Sequence, residues 1–391
     1  MHGIKDMDFE LSEELKMVQS LARDFVGQQL KPLERDILGR AADLHDARAY
    51  LPAEKEAELI KMVKDMGMWG IGVPEELGGA GLSSLGVCIV EEELAGSVVP
   101  FNFGDVTPIL FDCDAEQRRE FLLLAINNEK RPYLALMEND SKSNLSDVKT
   151  KAEKVDGHYV INGEKLSFSR KSNDYFGVVF AMAEKGMTCF LVDKDTPGFS
   201  ISDCEEETGW HSQIREPLTL VFKDCRVSKK NMLGDEGKAF YLGGGWLPQR
   251  RVIRGARCVG IARRLLEEAA VRAQSTESFG QAIYHRGHIQ AALADIAMNI
   301  HAARLMVYEA ACKVDSGKSI FREAALVKLY TTQMVRMVAD RVAHIFNGPP
   351  NDNGLTIEQL CRHATQAGFA DIVLERQRGI IARDILKGLK V

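Results

Sequence analysis

The stretch His158-Tyr159-Val160-Ile161-Asn162-Gly163-Glu164-Lys165 decides the fold class, because it is the plainest strand signal in a chain whose flanks read as helix. Tyr, Val and Ile are enriched in strands, and Asn-Gly is a strong two-residue hairpin turn. Phe176 to Ala181, Met187 to Val192 and Leu218 to Phe222 are further strand-like runs, separated by turn signals. Short strands at this spacing predict a compact antiparallel barrel or sandwich.

Outward from that block, both flanks carry helical periodicity. Leu11, Leu15, Val18, Leu21, Phe25, Val26 and Leu30 recur at three- and four-residue steps, the apolar face of one helix. Ser12 is placed to cap it, and Glu13 and Glu14 sit where the helix dipole favours anions. Val73-Pro74-Glu75-Glu76-Leu77-Gly78-Gly79-Ala80-Gly81-Leu82-Ser83 is a Gly-rich turn ahead of a second apolar run through Val87, Ile89, Val90 and Leu94. It is not a dinucleotide fingerprint, since the third glycine position is Ser84 and no βαβ unit surrounds it; it reads as a helix-capping turn. On the other flank, Ile289, Leu293, Ile296, Ile300, Ala303 and Val307 form a bundle seam. Helices are expected near 251–273, 287–315, 320–347 and 357–388, with Asn347-Gly348-Pro349-Pro350-Asn351 as a loop. The predicted architecture is α+β: an N-terminal helical domain over 1–130, a middle antiparallel β-barrel domain over 131–235, and a C-terminal four-helix bundle over 236–391.

Composition bounds the chemistry. The chain has 391 residues, and at roughly 100–200 residues per domain it holds two or three domains. Fifty basic and 56 acidic residues give a net charge of -6, which argues against a general nucleic-acid or anionic-membrane binder but leaves room for one local anion site. The eight cysteines are scattered with no CxxC, so they read as reduced thiols and no metal is expected. Residues 1–15 carry no apolar signal core and no run reaches the roughly 18 residues of a membrane helix, so a cytoplasmic location is expected. No GxxxxGK[ST], GxSxG or HExxH occurs, and His285 with His288 reads as a surface pair. Arg250, Arg251, Arg254 and Arg257 cluster at the start of a helix. Most read as a solvated or salt-bridged face, although one arginine there would add to the dipole's field and suit a phosphate or a polarised carbonyl.

Taken together, the helix–β–helix order and several short stretches resemble the acyl-CoA dehydrogenase superfamily over nearly the whole chain. Gly72 to Leu82 is similar to the family's GxPxxxGGxG turn, followed by the helix carrying Glu91-Glu92-Glu93. His158 to Lys165 resembles its β-domain hairpin, Phe222-Lys223-Asp224-Cys225-Arg226-Val227 its "F-D-V-R-V-P" strand, and Ile380 to Leu386 its closing "IAR" helix. The resemblance implies FAD between the β-domain and the bundle, and an acyl-CoA thioester against the flavin. A base would remove the α-proton while the β-hydride leaves for the flavin N5. It further implies electron-transfer flavoprotein as partner and a homotetramer.

Residue by residue, the family's "L-T-E-P-x-A-G-S-D" falls on Leu136 to Asn144, placing Met137 and Ser143 at the flavin, with Ser143 also at the substrate. "W-I-T/S" falls on Ser167-Phe168-Ser169, so Ser169 keeps a hydroxyl near the flavin. Arg251 falls on the arginine that helps bind CoA. "R-x-x-F-G" reads Thr276-Glu277-Ser278-Phe279-Gly280, which keeps Phe279 and loses the arginine that would meet a neighbouring subunit's FAD phosphate. The glutamine of "Q-I-F-G-G" is His344, and Gly348 is retained. A lost guanidinium–phosphate bond is worth roughly 1.5–3 kcal/mol, for which His344, Arg286 or Lys142 could compensate. Asp371 falls on the catalytic glutamate, and Arg250 on the alternative base position, which closes that route. A desolvated aspartate can serve as the base, although its carboxylate is one methylene shorter. An unusual or cyclic acyl-CoA as substrate, a non-catalytic or half-site subunit of a heteromer, or Asp371 as a mere helix N-cap or surface aspartate in a chain with no family-type base, are the other readings of these departures.

Overall fold

The computed structural model describes residues 10–42, 51–138, 148–169, 172–203, 216–346, 354–367 and 374–388. Its first layer is helical: α1 (Glu13–Phe25), α2 (Glu34–Ala42), α3 (Ala53–Asp65), α4 (Ser84–Leu94) and the short turns α5 (Ala115–Gln117) and α6 (Leu123–Ile126). Ser12 caps α1 by accepting from Leu15 N–H at 3.3 Å. The Gly-rich turn ends in Ser83, which caps α4 by accepting from Gly86 N–H at 3.2 Å. Gly79 is required in that turn because a Cβ would lie 2.3 Å from the Val73 carbonyl oxygen.

The middle region is one eight-stranded sheet in the order β6-β7-β3-β2-β4-β5-β8, with β1 beside β4. The strands are β1 (Arg131–Ala135), β2 (Lys151–Val155), β3 (His158–Ser169), β4 (Tyr175–Ala183), β5 (Gly186–Asp193), β6 (Phe199–Asp203), β7 (Glu216–Ser228) and β8 (Met232–Leu233). Two expectations are corrected. The sheet is not a closed barrel: among the described residues β6 and β8 stand at its ends without joining. Nor is it wholly antiparallel, because β1 runs parallel to β4, from Arg131↔Tyr175 to Ala135↔Val179. A parallel pair needs a long crossover, and the segment from Leu136 to Asp174 supplies it.

Asn162-Gly163 is not a hairpin turn. β3 runs through it with a register irregularity between Ile161 and Gly163, and a Cβ on Gly163 would lie 2.5 Å from Thr150 Oγ1. The β2–β3 turn is instead Asp156-Gly157, where φ is 48° and 78°, the left-handed pair of a type I′ turn. The dipeptide signal was real but marked a bulge, the other use of a strand glycine.

The C-terminal layer holds α7 (Trp246–Ser275), α8 (Gly287–Asp315) and α9 (Phe321–Phe346), with the small hairpin β9 (Glu277–Ser278) and β10 (Gln281–Ala282) between α7 and α8. The fourth expected helix is two, α10 (Gly354–Gln366) and α11 (Leu374–Leu386), so the four-helix bundle is corrected to three long helices and two short ones.

Helix α4 joins the layers. Every residue from Gly86 to Leu94 is buried, including Glu91, Glu92 and Glu93. Consecutive helical residues point about 100° apart, so each carboxylate meets a different partner. Glu91 pairs with Arg257 of α7. Glu92 takes Arg304 of α8 at 2.8 Å and the Tyr308 hydroxyl at 3.4 Å. Glu93 takes Arg23 of α1 at 2.8 Å and Arg263 of α7 at 2.5 Å. Removing one partner strands a charge that cannot reach water. Arg304→Met is therefore expected to lower stability by about 3 kcal/mol or more, whereas Lys16→Met, at the exposed Lys16–Glu13 pair, is expected to cost under about 1 kcal/mol. Urea unfolding of the two variants side by side checks the difference.

Candidate functional site

Two clusters of side chains stand at opposite ends of α7. The first lies at its N-terminus, where the sheet meets the bundle. Gly245 (φ 76°) turns the chain into the helix. Trp246, next in line, is buried in the same apolar cluster as Leu136 and Leu242. The Arg250 guanidinium lies over the Trp246 ring, 5.6 Å from its centroid. Arg251 is only 4 % exposed. It shares a helix face with Gly255, whose missing Cβ lets Val327 of α9 approach; a Cβ there would come within 2.4 Å of Val327 Cγ1.

Met137 follows Leu136 directly, and its carbonyl accepts from Leu166 N–H of β3 at 2.8 Å. Ser169 lies three residues further along β3, about 10 Å at strand rise, and is half-buried. Beneath Met137 is an ion pair that sequence reasoning passed over. Lys165 Nζ stands 2.9 Å from Glu138 Oε1, with side chains 0 % and 6 % exposed. The signal was available in principle, since Lys165 lies in the inward phase of β3 with Tyr159 and Ser167, all buried. Ser143 lies outside the described residues.

Beside this junction runs α10. Its final turn is tied to α9, where the buried Lys328 donates from Nζ to the Ala367 carbonyl at 2.8 Å. That carbonyl lies four residues ahead of Asp371, which itself falls outside the described residues. Lys328 also acts electrostatically on Cys258 of α7, so the end of α10 sits close to the helix that carries Arg251. One helical turn earlier, the amide of Gln359 faces His363 Nε2 at 3.0 Å. Burial pushes the His363 imidazole down, with the Arg257 guanidinium adding to it, to about 4.

The second cluster is at the far end of α7. Arg272 lies over the Phe346 ring at 5.5 Å, which brings the end of α9, and with it the exposed His344, beside the β9–β10 hairpin. Phe279 stands at the hairpin tip with φ 55° and is 96 % exposed. The Arg286 guanidinium covers its ring at 5.4 Å and donates to the Ser278 carbonyl at 3.0 Å. A pocket of about 490 Å³ at this end is lined by Ala270, Ala273, Gln274, Tyr284 and Leu293. Arg272 and Phe346 thus join the ends of α7 and α9 near the hairpin that carries Phe279, while Leu136, next to Met137, shares an apolar cluster with Trp246 at the other end of α7. Arg251 and the last residue of α7 are about 36 Å apart at helical rise. Gly348 lies outside the described residues.

Three family models match the chain in order: acyl-CoA dehydrogenase N-terminal domain over 12–129, middle domain over 134–225 and C-terminal domain over 241–386. The (R)-benzylsuccinyl-CoA dehydrogenase of Thauera aromatica is 32% identical, over 97% of this chain and 97% of that protein. The chain belongs to the acyl-CoA dehydrogenase family. Isobutyryl-CoA dehydrogenase of Dictyostelium discoideum is 33% identical over 86% of this chain and 81% of its own. The structure of butyryl-CoA dehydrogenase from Megasphaera elsdenii superposes with a TM-score of 0.84 at 26% identity, covering 97% of this chain and 100% of that one. As an acyl-CoA dehydrogenase the protein is a flavoprotein oxidoreductase that uses FAD. Its residues fit that cofactor. Thr276 supplies no cation, yet the Arg286 guanidinium occupies the same hairpin, 5.4 Å over the Phe279 ring. At the other end, the Met137 backbone is fixed by its bridge to Leu166. No helix among the described residues is long and apolar enough to cross a membrane.

The depressed His363 has a consequence for this enzyme's stability. The ordinary histidine value is about 6.5, so between there and about 4 the unfolded chain binds a proton that the fold refuses. The contribution is present above pH 6.5 and is lost as pH falls towards 4. His363→Asn is expected to flatten the stability–pH curve in that window and to leave it unchanged above pH 7, as read by urea titration at each pH.

Proposed function

We propose that this enzyme carries out α,β-dehydrogenation of an acyl-CoA with Asp371 as the base. The reading is carried by the hydrogen bond from Lys328 to Ala367, which anchors the chain just ahead of Asp371 beside the helix that carries Arg251. Asp371 takes the α-proton onto a carboxylate oxygen. Arg251 binds the CoA portion of the thioester, and its burial strengthens its hold on an anion. Met137 and Ser169 line the flavin ring, and Ser143 serves both flavin and substrate. FAD, when bound, would supply the acceptor for the β-hydride, with an electron-transfer flavoprotein as the onward partner. One methylene less on the base than glutamate brings the α-carbon closer to the backbone, which favours an acyl group of unusual shape.

The separation of the two clusters along α7 supports an oligomer in which Phe279, His344, Gly348 and Arg286 of one copy complete the diphosphate side of another copy's FAD. A homotetramer is the simplest such assembly. A heteromer with a related subunit is the alternative, favoured by Thr276.

Asp371→Asn is expected to keep its FAD and to lose substrate-driven bleaching of the flavin by about 10²–10⁴-fold. Unchanged bleaching would falsify the base assignment. Arg286→Met is expected to weaken FAD binding by roughly 10–100-fold, the loss of one charge-assisted bond. Flavin release on dilution, read alongside the oligomeric state by light scattering, measures it.

A further inference from the structure

The pair formed by Lys165 and Glu138 is set apart from the exposed ion pairs by the burial of both its side chains. Its carboxylate is saturated with donors. Besides Lys165 Nζ at 2.9 Å, Glu138 accepts from Lys149 N–H at 2.8 Å, from Thr150 N–H at 3.0 Å and from the Thr150 hydroxyl at 2.7 Å. Lys165 in turn donates to the Leu136 carbonyl at 3.3 Å. These bonds tie three places in the sheet to one point: the segment leaving β1, the start of β2 and the middle of β3.

Met137 sits between the two residues so held. Leu136 on one side is gripped through its carbonyl by Lys165, and Glu138 on the other through its carboxylate. The Met137 carbonyl is itself bonded to Leu166, the neighbour of Lys165. Met137 lies outside the strands, and among the described residues its ladder contact is this isolated bridge. The ion pair adds a hold on each of its two neighbours.

We propose that Lys165 and Glu138 are positioning residues for the flavin: they fix the Met137 backbone against the ring and set, through two buried opposite charges, how readily the ring accepts electrons. The inference rests on the proposed placement of Met137 and Ser169 at the flavin. A buried charge acts over a longer range than an exposed one, because the medium around it screens less. As a pair the two charges nearly cancel. Removing either leaves its partner's charge beneath the ring, with opposite sign in the two cases. Burial raises the Glu138 carboxyl, but the hydrogen bonds from Thr150, Lys149 and Lys165 outweigh it and hold it at about 2. Burial pushes the Lys165 ammonium down, and Glu138 offsets part of that.

The test compares purified holoenzyme with Lys165→Met, Glu138→Gln and Ser169→Ala, reading flavin content, visible spectrum and flavin reduction potential by dye equilibration at pH 6. Lys165→Met leaves a carboxylate and is expected to make reduction harder; Glu138→Gln leaves an ammonium and is expected to make it easier. Each should change the ratio of reduced to oxidised flavin at fixed ambient potential about tenfold, which is about 30 mV for a two-electron couple. Opposite signs support the proposal, because loosening of the fold alone would move both variants the same way. Shifts of the same sign, or none while Ser169→Ala still alters the spectrum, overturn it and leave the placement of the flavin standing. If Ser169→Ala also leaves spectrum and potential unchanged, the placement fails and the proposal with it. If either charge variant is purified without flavin, the potentials are read on Glu138→Asp and Lys165→Arg, which keep both charges and move them. A shift in these supports the proposal and its absence overturns it.

Discussion

Three consecutive glutamates inside one helix set the plan of this molecule. A carboxylate withdrawn from water must find a partner inside the protein, and the cost of failing is several kcal/mol. Because Glu91, Glu92 and Glu93 point in three directions, their arginines come from α1, α7 and α8, and those helices are held around α4. Close packing follows from the same geometry. Gly260 of α7 lies against α4 where a Cβ would sit 2.1 Å from the Glu92 carbonyl oxygen. The hydrophobic effect drives the layers together, while the charges decide which faces meet.

This arrangement has a functional consequence. With α7 pinned to α4 along its middle, its two ends project to different places: the N-terminus to the junction with the sheet, the C-terminus to the hairpin carrying Phe279. One rigid helix of 30 residues thereby sets its two ends about 45 Å apart. Phe279 at the hairpin tip and His344 near the end of α9 are both exposed. Within the junction, buried polar groups again do the positioning. Lys165 and Glu138 hold the strand side, and Lys328 holds the end of α10. Each is a charge placed where a hydrophobic residue would pack more cheaply, and such placements mark geometry that must be unique.

Much of the fold was legible in the chain itself. The caps at Ser12 and Ser83, the strands at 176–181 and 187–192, and the spans of α8 and α9 follow from periodicity and turn chemistry, which are local. The errors are equally local in origin. Asn162-Gly163 satisfies the rule for a turn, but Gly163 is needed for close approach to Thr150, a contact from another strand. The parallel pairing of β1 with β4 joins residues more than 40 positions apart and leaves no short-range mark. For the site, the motif resemblance singled out Met137, Ser169, Phe279, His344 and Arg251; the structure sets Arg251 in the first turns of α7 and Phe279 in the hairpin beyond its last. Lys165, Glu138, Lys328 and His363 stood in the sequence as ordinary polar residues, and only their burial gives them a role.

The sequence by itself determined helices such as α1, α8 and α9, the family, and with it FAD and acyl-CoA chemistry, because these depend on periodicity and on residue order along the chain. The tertiary structure alone decided which charges are buried together and where Arg286 stands relative to Phe279. Those are properties of residues distant in the chain and adjacent in space. The physical reason is that a charge declares its function through its environment: Lys165 on a surface would be one lysine among many, and inside the sheet it is a fixed positive charge held by Glu138 and the Leu136 carbonyl.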